Sequence, residues 1–297
     1  MLNRFADDGK VSALMFFRAV GFPIFRLRTQ LRMARGLFDI CHREVYKGLP
    51  FQYGPGSDIN LPHHTIGREL ERYVQTKYPS IQPPPEHNLR EFWVHCEGAR
   101  VTTDRITKPK RSRDQVKIAL DFPADFVATT GVDAAEISVV LFYRANLDIL
   151  NRMRKRPEYR VLDRMPAAHT VDSFQGQEGK ISVVIMGTSN PNPGFTAQKN
   201  RLNVALSRQT SGLAIFGDIN VVGGMGKSKE KCKGKGKGKG KGKETDKVLI
   251  DDTAGERRYV KISMLKSVTH TLSDKWPRYH HCCAEEGGER GIAASSG

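Results

Sequence analysis

Ile181-Ser-Val-Val-Ile-Met186 is apolar almost without interruption, and the fold turns on it. A strand formed there has no face to offer to water, so helices must cover it on both sides. Short runs of the same kind recur at residues 92–96, 137–143, 159–162 and 213–216, and all five are read as strands. Between them, residues 146–156 and 197–209 carry apolar side chains at helical spacing. The alternation across residues 91–218 predicts an α/β fold, a parallel sheet flanked by helices. Upstream, residues 34–47 can form a helix, whereas 48–62 and 79–85 are dense in proline and glycine and read as loops.

The rest of the chain is organised around this block. Its 297 residues are 38% hydrophobic, enough to bury a core in at least part of the length. The net charge is +16, but the stretch from Lys227 to Lys243 holds nine lysines against one glutamate and so carries half of it. What remains permits a basic groove without requiring one. The Lys-Gly alternation cannot build a core; it reads as a solvated linker or as a polycation that binds any polyanion through counterion release. We therefore divide the chain into a broken or disordered edge (1–25), a globular domain (26–222), a Gly/Lys linker (223–247) and a mostly disordered tail (248–297), in which 260–272 can form a short helix or strand. Five unevenly spaced cysteines make no disulfide framework and point to a reducing compartment, nucleus or cytoplasm. The apolar residues 11–17 and 20–25 are interrupted by Arg18 and lack a small-residue cleavage site. Together they are too short to span a bilayer, so no signal peptide or membrane segment is expected.

Chemistry concentrates in His169-Thr-Val-Asp-Ser-Phe-Gln-Gly-Gln-Glu178 and Asn200-Arg-Leu-Asn-Val-Ala-Leu-Ser-Arg208. In the second, Leu202 and Leu206 can pack inward at i,i+4, holding Arg208 on a rigid element with Arg201 seven residues earlier on roughly the same face. An arginine so held offers a phosphate a forked and permanently charged donor; the plainer reading is a surface arginine paired with a nearby carboxylate. In the first, Gly176 permits a tight turn or close approach to a ligand. Thr170 and Ser173 can donate to phosphate oxygens, or Asp172 and Ser173 can simply cap a following helix. Tyr143, at a strand's carboxyl end beside Arg144, either stacks on a base or packs in the core.

With Leu27-Arg-Thr-Gln-Leu-Arg-Met33 and the strand ending in Tyr143-Arg144, these stretches resemble four ordered motifs of superfamily 1 helicases. The branch they resemble contains the nonsense-mediated-decay RNA helicase, senataxin and the replication nuclease-helicases. The resemblance covers about residues 25–222 and implies a second, carboxy-terminal RecA-like motor domain. It implies that Arg32 and Arg208 are the catalytic arginines, and that Gln30, Gln175, Gly176, Glu178 and Arg201 contact ATP, Glu178 through ribose hydroxyls. Thr170, Asp172, Ser173, Tyr143 and Arg144 would then contact single-stranded RNA or DNA. ATP and Mg2+ are implied as cofactors only together with a first RecA-like domain. No Gly-x-x-x-x-Gly-Lys-Ser/Thr opens a helix in this sequence, and Gly226-Lys-Ser228 would need its first glycine where Val221 stands. The chain alone is expected not to hydrolyse ATP, and a stand-alone nucleic-acid-binding module is the alternative reading. Leu31 stands where the branch usually has tyrosine, Ala34-Arg35 where it has His-Pro, and Gln209 where alanine is common. No metal site is assigned: the adjacent residues of His280-His-Cys-Cys283 cannot easily close one tetrahedral site.

Overall fold

The computed structural model describes residues 11–79, 81, 83–103, 110–174, 176–223, 247–251 and 257–274. Its centre is a five-stranded, all-parallel sheet: β1 (Glu91–His95), β2 (Ile137–Leu141), β3 (His169–Thr170), β4 (Gly179–Ile185) and β5 (Gln209–Gly217), in the spatial order β1-β5-β4-β2-β3. Described helices are α1 (Ala13–Ala19), α2 (Asp39–Val45), α3 (Thr65–Lys77), α4 (Arg113–Thr130), α5 (Arg144–Met153), α6 (Lys199–Ala205) and α7 (Ser263–Asp274). Helices α3 and α4 pack on β4 and β5, with α5 beside α4; α2, α6 and α7 pack on one another, with α7 also against β1. This double cover is why all residues of β1 and β2 and residues 181–185 of β4 are buried. The approach of α3 is close: a side-chain carbon on Gly67 would lie 2.2 Å from the Ser211 carbonyl oxygen in β5.

One strand expectation changes. Residues 159–162 are not a strand but part of a 3-10 helix, Pro157–Leu162, with proline in its first turn. Tyr159 and Leu162 are buried, while Arg160 and Val161 are exposed; that i,i+3 burial fits a three-residue turn and not the alternation of a strand. The fifth strand is instead the two-residue β3 at the sheet edge. In the tail, where a short helix or strand is expected at 260–272, an antiparallel pair (Lys247–Asp251 with Arg257–Lys261) leads into α7. Leu265, Val268 and Leu272 of α7 lie at helical spacing and join the main core. Helix α1, by contrast, buries no residue.

Among the described residues, no helix is long and apolar enough to cross a membrane, and no group of three or more His, Cys, Asp or Glu could hold a metal ion. Gln175, the Lys-Gly tract, Gly226-Lys-Ser228 and His280–Cys283 lie outside the described residues.

Candidate nucleotide and strand half-sites

The strand register separates the candidate residues into two groups. Thr170 at the end of β3 pairs with Leu141, at the carboxyl end of β2, and Arg144 follows just beyond. Gly179 begins β4 two residues before Ile181, which pairs with Ile137 at the amino end of β2. Among the described residues no helix connects β3 to β4, so the chain between them must return along the sheet, about 13 Å for the four residues that separate the two levels. Its first half therefore sits at the carboxyl edge and its second at the amino edge.

At the amino edge, three distant segments converge. Arg32 donates through Nε to Glu178 Oε2 at 2.7 Å and through Nη1 to the Ser207 carbonyl at 3.2 Å. The Gln30 side-chain oxygen accepts from the Arg32 and Met33 backbone N–H groups at 2.8 and 3.3 Å, and so shapes the turn that presents Arg32. Met33 anchors that turn, being 1% exposed. Arg208 lies between α6 and β5, with its Nε on the Val204 carbonyl at 3.1 Å, Nη2 on Ser207 Oγ at 3.1 Å and Nη1 on the Gln177 carbonyl at 3.5 Å. Leu202 and Leu206 are both buried and fix the segment that carries it. Partial burial, and after it the positive charge of Arg32, lowers the pKa of Arg208. Two guanidiniums that repel one another across a partly exposed surface are an anion-seeking set. Beside Arg32 opens a cavity of about 520 Å³ lined by Leu31, Arg32, His63, Phe174, Glu178 and Lys180, among others; Arg208 does not line it.

Gly176 has φ +86°, the left-handed region, and a side-chain carbon there would meet no protein atom within 4 Å. Backbone conformation and not close packing against the protein is what calls for glycine at this turn. Gln209 takes its place without disturbing Arg208: it is buried and donates to the Leu206 and Leu37 carbonyls at 3.0 and 3.4 Å.

At the carboxyl edge, Thr170 Oγ1 and Ser173 Oγ lie 3.0 Å apart, and the Ser173 and Phe174 N–H groups donate to the Thr170 carbonyl at 3.0 and 2.9 Å. Among the described residues this is a turn with no helix after it, so they give Asp172 and Ser173 no helix to cap. Arg201 is placed here and not with Arg32 and Arg208. It grips Asp172 with two bonds of 2.9 Å, donates to Gln198 Oε1 at 2.9 Å and stands 4.6 Å over the Phe195 ring. The chain accounts for the separation: α6 ends at Ala205, and Arg208 lies three residues beyond it, just before β5. Tyr143 is core: its ring stacks on Phe195 with centroids 5.2 Å apart, and its hydroxyl accepts from the Phe195 N–H at 2.8 Å. At 5% exposure it presents no free face to a base, whereas Arg144 is exposed. Ser207 serves both arginines, and its signal in the sequence is its place in Leu206-Ser-Arg208; Phe195 carries no sequence signal.

Comparison with known proteins identifies the family. A family model described as an AAA domain matches residues 14–220. The chain is 28% identical over 161 residues to "Helicase required for RNAi-mediated heterochromatin assembly 1" of Schizosaccharomyces pombe, covering 53% of this chain and 16% of that protein. It is 26% identical over 235 residues to "Regulator of nonsense transcripts 1 homolog" of Neurospora crassa, covering 75% and 19%. Over 94 residues it is 33% identical to "DNA polymerase alpha-associated DNA helicase A" of S. pombe, covering 31% and 14%. The chain thus spans less than a fifth of the length of each of these relatives. Taken with the parallel sheet and the four ordered motifs, these matches place the chain in the AAA domain family, as the carboxy-terminal, RecA-like region of a superfamily 1 helicase in the nonsense-mediated-decay and replication-helicase branch.

Proposed function

We propose that this chain is the second motor domain of an ATP-dependent RNA or DNA helicase acting in the nucleus or cytoplasm, with its nucleotide edge completed by a first RecA-like domain. The observation that carries the reading is the meeting of Arg32, Glu178 and Arg208 at the amino edge, while Thr170, Ser173 and Arg144 occupy the carboxyl edge. Two sets of ligand-seeking residues at opposite ends of one sheet, joined by the loop from Val171 to Glu178, suit a domain that links phosphate chemistry to grip on a strand.

The donor set fits the phosphates of ATP, which supplies the phosphoryl bond whose hydrolysis drives such motors. Arg208, held by three bonds to its own domain, neutralises charge that develops on the γ-phosphoryl oxygens. Arg32 adds the second positive charge, and Glu178 accepts from ribose hydroxyls. The carboxylates of this cavity, Glu136 and Glu178, are paired with Lys180 and Arg32, so Mg2+ is assigned to ligands on the first domain. Thr170, Ser173 and Arg144 bind the phosphodiester backbone, and Asp172 acts through Arg201 to hold their turn in place.

The test is ATP turnover by the chain alone and by the chain mixed with a first RecA-like domain from a close relative, each with single-stranded RNA or DNA. Strand-stimulated turnover in the mixture only is expected. No turnover in either case, with salt-sensitive strand binding intact, leaves a stand-alone nucleic-acid-binding module instead.

A further inference from the structure

The two arginines of the amino edge are not equally available. Arg208 directs its three bonds to neutral oxygens, two carbonyls and a hydroxyl. Arg32 is instead held by a carboxylate: Nε lies 2.7 Å from Glu178 Oε2, within the range of a strong charge-assisted bond. The pair joins residues 146 positions apart and stands open to solvent, with side-chain exposures of 37% for Arg32 and 55% for Glu178. Gln30 shapes the turn from one side, and the Ser207 carbonyl holds Nη1 from the other. A phosphate approaching Arg32 therefore meets a guanidinium whose Nε is already engaged by an anion of the protein.

We infer that Glu178 is a built-in competitor for the phosphate site, a carboxylate latch on Arg32 that a nucleotide's phosphates must displace. This rests on the reading of Arg32 and Arg208 as a phosphate site and adds regulation to it. The latch makes Arg208 the first point of contact and Arg32 the second, recruited only when the incoming anion outcompetes the carboxylate. Displacement also frees Glu178 Oε2, at the cavity that it lines together with Leu31 and Lys180, to accept hydrogen bonds from hydroxyls of the rest of the ligand. Engagement of phosphate at Arg32 and release of Glu178 are thereby one event. A single inorganic phosphate, with fewer contacts to set against the carboxylate, opens the latch less completely than a polyphosphate chain.

The probe is inorganic tripolyphosphate, which has no ribose; the lysines of residues 227–243 attract it equally in every variant, so the readout is the difference between variants. Its affinity is measured by calorimetry on the full chain and on Glu178→Gln, Arg32→Ala, Arg208→Ala, Arg32→Ala/Glu178→Gln and Glu136→Gln. An exposed ion pair limits the effect to about a two- to fivefold gain for Glu178→Gln. That gain should vanish on the Arg32→Ala background, where there is nothing left to latch. Glu136, which lines the same cavity but pairs with Lys180, controls for simple loss of negative charge, and Glu136→Gln should change affinity less than twofold. No gain in Glu178→Gln, or an equal gain with Arg32 already removed, overturns the latch, since the second result is charge repulsion alone. If Arg32→Ala and Arg208→Ala both leave tripolyphosphate binding unchanged, the phosphate-site reading fails and takes the latch with it.

Discussion

Replacing Arg201 by alanine is predicted to destabilise the domain by about 2 kcal/mol, well above the effect of an ordinary surface arginine. Its two bonds to Asp172, each 2.9 Å, form a forked pair whose side chains are 18% exposed on the arginine and 63% on the aspartate. Such a pair lies between an open ion pair, worth about 0.2–1 kcal/mol, and a buried charge-assisted bond at about 1.5–3, so we assign it about 1–1.5. The guanidinium 4.6 Å over Phe195 adds about 0.5–1 kcal/mol. Asp172→Asn keeps the ring contact and should cost about 1 kcal/mol. Arg201→Lys, which cannot fork, should lose about half of the alanine effect. Equilibrium urea unfolding of the single variants and of the double variant closes a cycle with an expected coupling near 1 kcal/mol. A cost below about 0.5 kcal/mol for Arg201→Ala, or strictly additive single effects, would show that Arg201 is free for a ligand and refute its placement as a brace for the strand-binding turn.

Two other substitutions probe particular physical causes. Gly176→Ala should cost about 1 kcal/mol through backbone strain at φ +86° alone, because no atom crowds the position; Gly176→Asn, which tolerates that region, should cost less, and equal costs measured by thermal unfolding would count against this account. Lys110 is buried, donates to the Asn192 carbonyl, and is pushed down to about 8 from 10.5 by desolvation. The folded form thus prefers the neutral amine. Between pH 8 and 10.5 the unfolded chain holds more protons and stability rises with pH, by at most about 3 kcal/mol. Lys110→Met should flatten that rise and stabilise the protein at pH 7 by about 1–3 kcal/mol, and an unchanged pH slope in urea unfolding would contradict the assignment.

Much of this arrangement is legible in the sequence because the strands are buried on both faces. Runs such as Ile181–Ile185 have no other place in a water-soluble fold, and the inward spacing of Leu202 and Leu206 already fixes the segment that carries Arg208. The errors share a cause as well. Residues 159–162 have the apolar content of a strand but bury every third residue, a pattern too short to tell from alternation. The true edge strand, His169–Thr170, is two residues long and owes its existence to β2 beside it. Helical spacing puts Arg201 and Arg208 on roughly one face; what separates them is the end of α6 at Ala205 and a carboxylate 29 residues from Arg201, and neither is visible in local spacing. Tyr143 could stack or pack, and the choice was made by Phe195, which lies 52 residues downstream. The order within the Glu178–Arg32 pair is likewise a tertiary fact, since each residue alone reads as a ligand contact.

The most direct test of the central claim compares Arg208→Ala with the unaltered chain, each mixed with a first RecA-like domain and saturating single strand, by rate of ATP turnover. An arginine that neutralises the γ-phosphoryl group should lose about 10³-fold or more in turnover while strand binding stays within about twofold. Turnover within about tenfold of the unaltered chain would mean that Arg208 is a structural arginine held by Val204 and Ser207, and that the amino edge of this sheet is not an ATP half-site.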